Sequence, residues 1–211
     1  MRMRKKKNLL PRMEKAGEYL FDIHEKSNLN AISIFNKNAP LYLEIGCGKG
    51  KFLCEHALAN PDKLYVGIER VPDVLVLAME KAQEYGLKNI RFLSADAIGL
   101  ADLFAQGCAH GIYLNFSDPW PKARHAARRL DGPGFLNIYK YLLAPEAMLE
   151  MKTDNVGFFE FGLESIEEVG GEIVDISRDL TAENRPENVV TEYEKRWSDM
   201  GIKINYVKVK F

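Results

Sequence analysis

No window of the 211-residue chain comes near the roughly 18 uninterrupted apolar residues of a membrane-spanning helix, so no bilayer span is expected. The basic opening, with Arg2, Arg4, Lys5, Lys6 and Lys7, lacks the apolar stretch and small-residue cleavage site that would make it a secretion signal. Cysteine is scarce: Cys47, Cys54 and Cys108 form no Cys-x-x-Cys pair and leave an odd count, which suits a reducing compartment. These absences lead to the expectation of a cytoplasmic protein. An excess of one charge is missing too, since the net charge is -1, and global basicity therefore announces no nucleic-acid partner. His24, His56 and His110 stand at no metal-ligand spacing, so no metal site is expected.

What is present is an alternation of short apolar runs and helical patterns, the mark of an α/β sheet. Residues 1–38 read as a basic arm and a lead-in segment, and 39–211 as the main domain. Leu-Tyr-Leu-Glu-Ile from Leu41 is a buried strand, followed by Gly46-Cys47-Gly48-Lys49-Gly50 and a helix from Lys51 to Ala59. Leu64 to Glu69 and Asn89 to Ala95 are further strands, separated by a helix that Pro72 opens and Gly86 ends. A fourth strand starts at Ile112 and is expected to end on Asp118; after it come a helix that Pro145 is expected to stop, a fifth strand from Ala147 to Lys152, and a helix over residues 156–169. Glu172 to Ser177 and Ile202 to Phe211 complete seven strands, the last with a phase slip at Tyr206 that predicts a bulge or burial on both faces. Asp179 to Asn188 is expected to be a loop, and Thr191 with Glu194 has the spacing of a capping box.

Glycines between a strand and a helix let backbone approach a ligand closely, and ligands of open α/β sheets sit outside the carboxyl ends of the strands. Four acids, Glu44, Glu69, Asp96 and Asp118, fall at or near those ends. Glu69 stands close to the spacing at which an acid meets ribose hydroxyls. Asp118 also opens the most distinctive stretch, Asp-Pro-Trp-Pro-Lys-Ala-Arg-His-Ala-Ala-Arg-Arg-Leu, where Lys122, Arg124, His125, Arg128 and Arg129 follow a tryptophan held between two prolines. Such a segment can grip phosphates, with about four of them giving a log-log salt slope of roughly -3 to -4. Trp120 is either a stacking platform for a base or a rigid plug, and His125 either a phosphate contact or a neutral surface histidine. Cys47 is read as a small residue in a tight turn and not as a nucleophile.

The glycine loop, the four acids, Phe-Ser-Asp-Pro-Trp-Pro-Lys with its Arg-His-Ala-Ala-Arg-Arg continuation, Lys-Thr-Asp at 152 to 154 and Thr-Glu-Tyr-Glu at 191 to 194 together resemble the bacterial tRNA (guanine-N7)-methyltransferase family. The resemblance runs from about Leu41 to Phe211. It implies a Rossmann-like doubly wound sheet of seven strands, mostly parallel with the last antiparallel, that uses S-adenosylmethionine to modify the variable-loop guanine of tRNA. It also implies cofactor contacts from Glu44, Gly46, Gly48, Gly50, Glu69, Asp96 and Asp118, with Asp118 catalytic as well. Lys122, Arg124, His125, Arg128, Arg129, Asp154, Thr191, Glu192, Tyr193 and Glu194 would meet tRNA. Ala127 stands where the family pattern often has a further basic residue.

Guanine N7 carries an in-plane lone pair and no proton to lose, so methylation there requires no general base. Asp118 is accordingly expected to orient the guanine through its N1 and N2 hydrogens or to offset charge moving from sulfur to the ring. Competing readings are a nicotinamide dehydrogenase, which leaves the basic segment unexplained, a non-enzymatic RNA-binding protein, and a methyltransferase for an exocyclic amine, whose Asp-Pro-Pro-aromatic motif Asp118-Pro119-Trp120-Pro121 resembles. A monomer or a homodimer is expected, without a membrane partner.

Overall fold

Residues 8–186 and 188–211 are described by the computed structural model, Glu192 for its backbone alone. The basic arm over residues 1–7 lies outside them. The chain forms two compact units, one ending at Ala105 and one spanning Gln106–Phe211.

The first unit opens with α1 (Leu9–Lys15), a 3-10 turn at Gly17–Tyr19 and α2 (Ala31–Phe35). The α/β alternation follows: β1 (Leu41–Ile45), α3 (Lys51–Ala59), β2 (Leu64–Ile68), α4 (Pro72–Glu84), β3 (Ile90–Leu93), a 3-10 turn at Ala97–Gly99 and α5 (Leu100–Leu103). The strands pair in parallel, Leu41 opposite Leu64 and Tyr65 opposite Ile90. Every residue of β2 is buried, as a central parallel strand covered on both faces demands. The lead-in packs here. Ala16 and Tyr19 enter the core with Ala78, Met79, Ala82 and Phe92, and Arg12 holds Glu80 through a fork of two bonds at 2.7 and 2.5 Å. Asn30 caps α2 by accepting from the amides of Ile32 and Ser33.

The second unit contains β4 (Ala109–Asn115), a 3-10 segment at Ala123–Arg128, α6 (Pro133–Leu142), β5 (Leu143–Thr153) and α7 (Val156–Glu168). It ends with β6 (Glu172–Ser177), α8 (Leu180–Glu183), α9 (Glu192–Asp199) and β7 (Asn205–Lys210). β4 and β5 are parallel, while β7 runs antiparallel to both β5 and β6. The strand order is β3-β2-β1-β4-β5-β7-β6, the mostly parallel seven-stranded sheet expected.

Two local expectations are corrected, at Pro145 and at Asp179 to Asn188, and one alternative, at Tyr206, is decided. Pro145 does not separate helix from strand: β5 starts at Leu143, and Pro145 lies where the register shifts from Leu143 opposite Ala109 to Met148 opposite Gly111. A proline has no N–H for the ladder and is accommodated at such an irregularity. Of the two outcomes expected at Tyr206, the bulge is not formed, since β7 pairs with β5 without a break and the irregularity lies on β6 between Ile173 and Asp175. Burial on both faces is what β7 shows, with Asn205, Tyr206 and Val207 all covered. The stretch from Asp179 to Asn188 is not wholly a loop, because Asp179 accepts from the Ala182 amide and starts α8.

Candidate active site

In the first unit the glycine loop turns back under the end of β2. The amides of Gly46 and Cys47 both donate to the Ile68 carbonyl, at 2.8 and 3.1 Å. Gly46, Gly48 and Gly50 all take positive φ, the left-handed backbone that glycine adopts at no steric cost. Gly50 has a second constraint, since a Cβ there would stand 2.6 Å from the Ala78 Cβ on α4. Around Gly48, by contrast, a Cβ would meet nothing within 4 Å, so this part of the loop faces open space.

Glu69, the first residue after β2, turns its carboxylate to that loop. It accepts from the Gly48 amide at 3.3 Å and the Val71 amide at 2.9 Å. A carboxylate has about four acceptor positions, so capacity for two hydroxyl donors remains. Asp96 is exposed, accepts from the Ile98 amide at 3.2 Å as the cap of its turn, and lies 3.8 Å from Arg70. Glu44 lies inside β1, 2% exposed. The Cys47 thiol is pushed well above its ordinary value, first by burial and then by the negative charge of Glu44 and Glu69. It stays protonated, which fits a turn filler and not a nucleophile.

In the second unit β4 stops at Asn115, three residues short of Asp118. Phe116 and Trp120 bracket the acid with φ of 52° and 39°, positions at which bulky side chains are rare. At the entry, the Phe116 amide donates to the Lys152 carbonyl at 2.8 Å, and the Phe116 ring lies 5.3 Å from that of Tyr193. The Asp118 side chain is exposed and accepts no hydrogen bond from the described residues. The basic segment past the loop divides by direction. Lys122, Arg124 and Arg128 are exposed. Arg124 donates to the His125 ring at 3.3 Å, and Arg128 lies 5.0 Å over the Trp120 ring. Arg129 points inward, donating twice to the Trp120 carbonyl and covering Phe161. Trp120, edge-on to His125 and faced by Arg128, is neither a buried plug nor a bare platform.

Residues 191 to 194 are divided in the same way. The Thr191 hydroxyl accepts from the Glu194 amide at 2.9 Å and Glu194 accepts from the Thr191 amide at 3.3 Å, the capping box expected. Glu194 is 1% exposed, and its carboxylate also receives Asn188 at 2.6 Å and the Lys152 ammonium at 3.2 Å. Lys152 further holds Asn188 and the Val189 carbonyl. Tyr193 by contrast is 47% exposed and faces outward beside Phe116. The side chain of Glu192 lies outside the described residues. Asp154, half-buried at the end of β5, accepts no hydrogen bond from them, while its neighbour Asn155 caps α7.

Nothing in the sequence points to a role for Phe116, or for Lys152 beyond its place in the Lys-Thr-Asp motif. The sequence points to no role for Asp131 either. Asp131 is fully buried between the basic segment and α6, and neither of its oxygens has a side-chain hydrogen-bond partner among the described residues. Burial pushes its carboxyl up to about 7, against smaller opposing pulls from its own backbone amide and then from Arg129. Gly162 of α7 makes the room, since a Cβ there would stand 2.9 Å from the Asp131 carboxylate.

Against known proteins, residues 38–207 match the family model described as "Putative methyltransferase". The tRNA (guanine-N(7)-)-methyltransferase of Geobacillus sp. (strain WCH70) is 41% identical over 211 residues, covering 100% of this chain and 96% of its own. That of Streptococcus agalactiae serotype III (strain NEM316) is 38% identical, with 100% of both chains covered. Among solved structures, an antibiotic-related methyltransferase superposes with a TM-score of 0.63 at 19% identity, covering 90% of this chain and 98% of that one. A SAM-dependent methyltransferase from Aquifex aeolicus gives a TM-score of 0.57 at 15% identity, covering 97% and 98%. Those two likenesses speak for the fold alone; the full-length identities speak for more. By them, the chain belongs to the tRNA (guanine-N(7)-)-methyltransferase family.

Proposed function

We infer that the chain transfers the methyl group of S-adenosylmethionine to N7 of a guanine in tRNA. The observation that carries the reading is the Asp118 carboxylate, exposed and accepting no hydrogen bond from the described residues, on a strained loop that leads into exposed Lys122, Arg124 and Arg128. When bound, S-adenosylmethionine supplies an electrophilic methyl group on a sulfonium.

The glycine loop suits that donor. Its open face at Gly48, the acceptor capacity of Glu69 for ribose hydroxyls and the buried acid Glu44 for a cationic group match the parts of the molecule. Asp96, exposed after β3, can accept from the adenine amine. Asp118 orients the guanine by accepting from N1 and N2, or offsets the positive charge that reaches the ring. No proton is removed from N7, so the acid is asked for alignment, an effect that can reach about 7 to 11 kcal/mol when all reacting atoms are held in line. Lys122, Arg124 and Arg128 meet phosphates, His125, whose ring accepts from Arg124, stands beside them, and Tyr193 and Asp154 face the substrate. Thr191 and Glu194 serve by fixing the start of α9.

Incubating the protein with labelled S-adenosylmethionine and unmodified tRNA, then digesting the RNA and identifying the labelled nucleoside, tests the reading. Label in 7-methylguanosine is expected. Label in an N6- or N4-methylated nucleoside, or none, would overturn it.

A further inference from the structure

The loop that carries Asp118 is held by more than its own sequence. It enters at Phe116 and leaves at Trp120 with both residues at positive φ. Neither is a glycine, and bulky residues keep such backbone only where their surroundings over-determine it. The entry is fixed by the Lys152 carbonyl and the Tyr193 ring. What fixes the exit is Arg129. Its Nε and Nη2 donate to the Trp120 carbonyl at 3.3 and 3.2 Å, and its guanidinium carbon lies 4.5 Å from the centre of the Phe161 ring on α7.

Arg129 is itself anchored. Its amide donates to the Ala126 carbonyl, and its own carbonyl accepts from Gly132, both at 3.0 Å. Gly132 permits the approach, because a Cβ there would meet the Arg129 carbonyl at 3.2 Å. Arg128 adds a second cation over the Trp120 ring.

We infer that Arg129 is a positioning residue for Asp118, acting inward through the Trp120 carbonyl and Phe161 and not on tRNA phosphate. This rests on the reading of Asp118 given above. The chemistry of the fork explains why arginine stands here: a planar guanidinium directs two N–H groups to one carbonyl while its face covers a ring. A lysine keeps the charge but has no such plane. A residue in this role sets where the carboxylate sits, and the phosphates are left to Lys122, Arg124 and Arg128.

Steady-state kinetics and tRNA binding across a salt series test this, with Arg129→Lys, Arg129→Ala, Phe161→Leu and Asp118→Ala compared with the native chain. Misplacing a reacting group by about 1 Å costs on the order of 100-fold, so Arg129→Lys should lower kcat by about 10- to 100-fold. Its tRNA Kd and the slope of log K against log salt should stay native. Phe161→Leu, which leaves every cation in place, should lower kcat in the same direction by less. Weaker tRNA binding for Arg129→Ala with a slope flatter by about one and a native kcat would mark a phosphate ligand and overturn the inference. So would a native kcat in both Arg129→Lys and Phe161→Leu beside an inactive Asp118→Ala. If Asp118→Ala itself keeps turnover, the reading of Asp118 falls first and the inference falls with it. Thermal melting of each variant confirms that folded protein is compared.

Discussion

Asp131 shows how a single side chain can set a condition on the whole chain. Its carboxyl is buried without a side-chain hydrogen-bond partner among the described residues and is pushed up to about 7, compared with an ordinary value near 3.9. Between those values the native state keeps a proton that the unfolded chain has released. Stability contributed by the protonated acid is therefore complete below about pH 4 and is lost as pH rises through about 7. The difference between the two limits is on the order of 4 kcal/mol. Asp131→Asn, which cannot ionise, should gain melting temperature relative to the native chain as pH is raised from about 4 to 8. Parallel pH profiles for the two would contradict the assignment. Nothing in the sequence marks this residue out, because it is buried against Gly162, 31 positions later, which approaches only in the folded unit. Asp118, in contrast, was legible from its place after a strand and before a basic run.

At the scale of elements, local signals carried over and distant ones did not. The capping box of Thr191 and Glu194 spans three residues, so its spacing could be read directly, and the structure forms it. The partner that buries Glu194 is Lys152, 42 positions earlier in the chain, and no pattern of spacing reports such a pair. Breaking a buried ion pair leaves one charge uncompensated, which gives Glu194 a reason to be present apart from any contact with tRNA. The basic segment gives a similar lesson. The sequence showed five cationic or protonatable side chains within the eight positions from Lys122 to Arg129, but direction is set by folding: Lys122, Arg124 and Arg128 face solvent, while Arg129 turns to Trp120. With three phosphates met, the segment should contribute about 2 to 3 to the magnitude of the salt slope for tRNA binding. Replacing Lys122, Arg124 and Arg128 together by glutamine should flatten the slope by that amount. A slope unchanged by the triple substitution would remove the segment from the RNA interface.

For the whole molecule, the number and places of the strands were legible because strands buried on both faces leave apolar runs, and glycine, proline and acid punctuation marks their ends; their directions came with the family resemblance, and their order only with the fold. A boundary moved where proline chemistry has two solutions, as at Pro145, and the irregularity lies on β6, between Ile173 and Asp175. The family was legible because its motifs are local in sequence; what the motifs do to one another required the fold. The central claim is that Asp118 acts on the chemistry while the exposed cations beyond it hold the tRNA. Comparing kcat and tRNA Kd for Asp118→Ala and the native chain tests that claim most directly. The account predicts that turnover is abolished with tRNA affinity largely intact. Near-native methylation by Asp118→Ala would contradict it, as would a loss of tRNA binding large enough to explain the lost turnover.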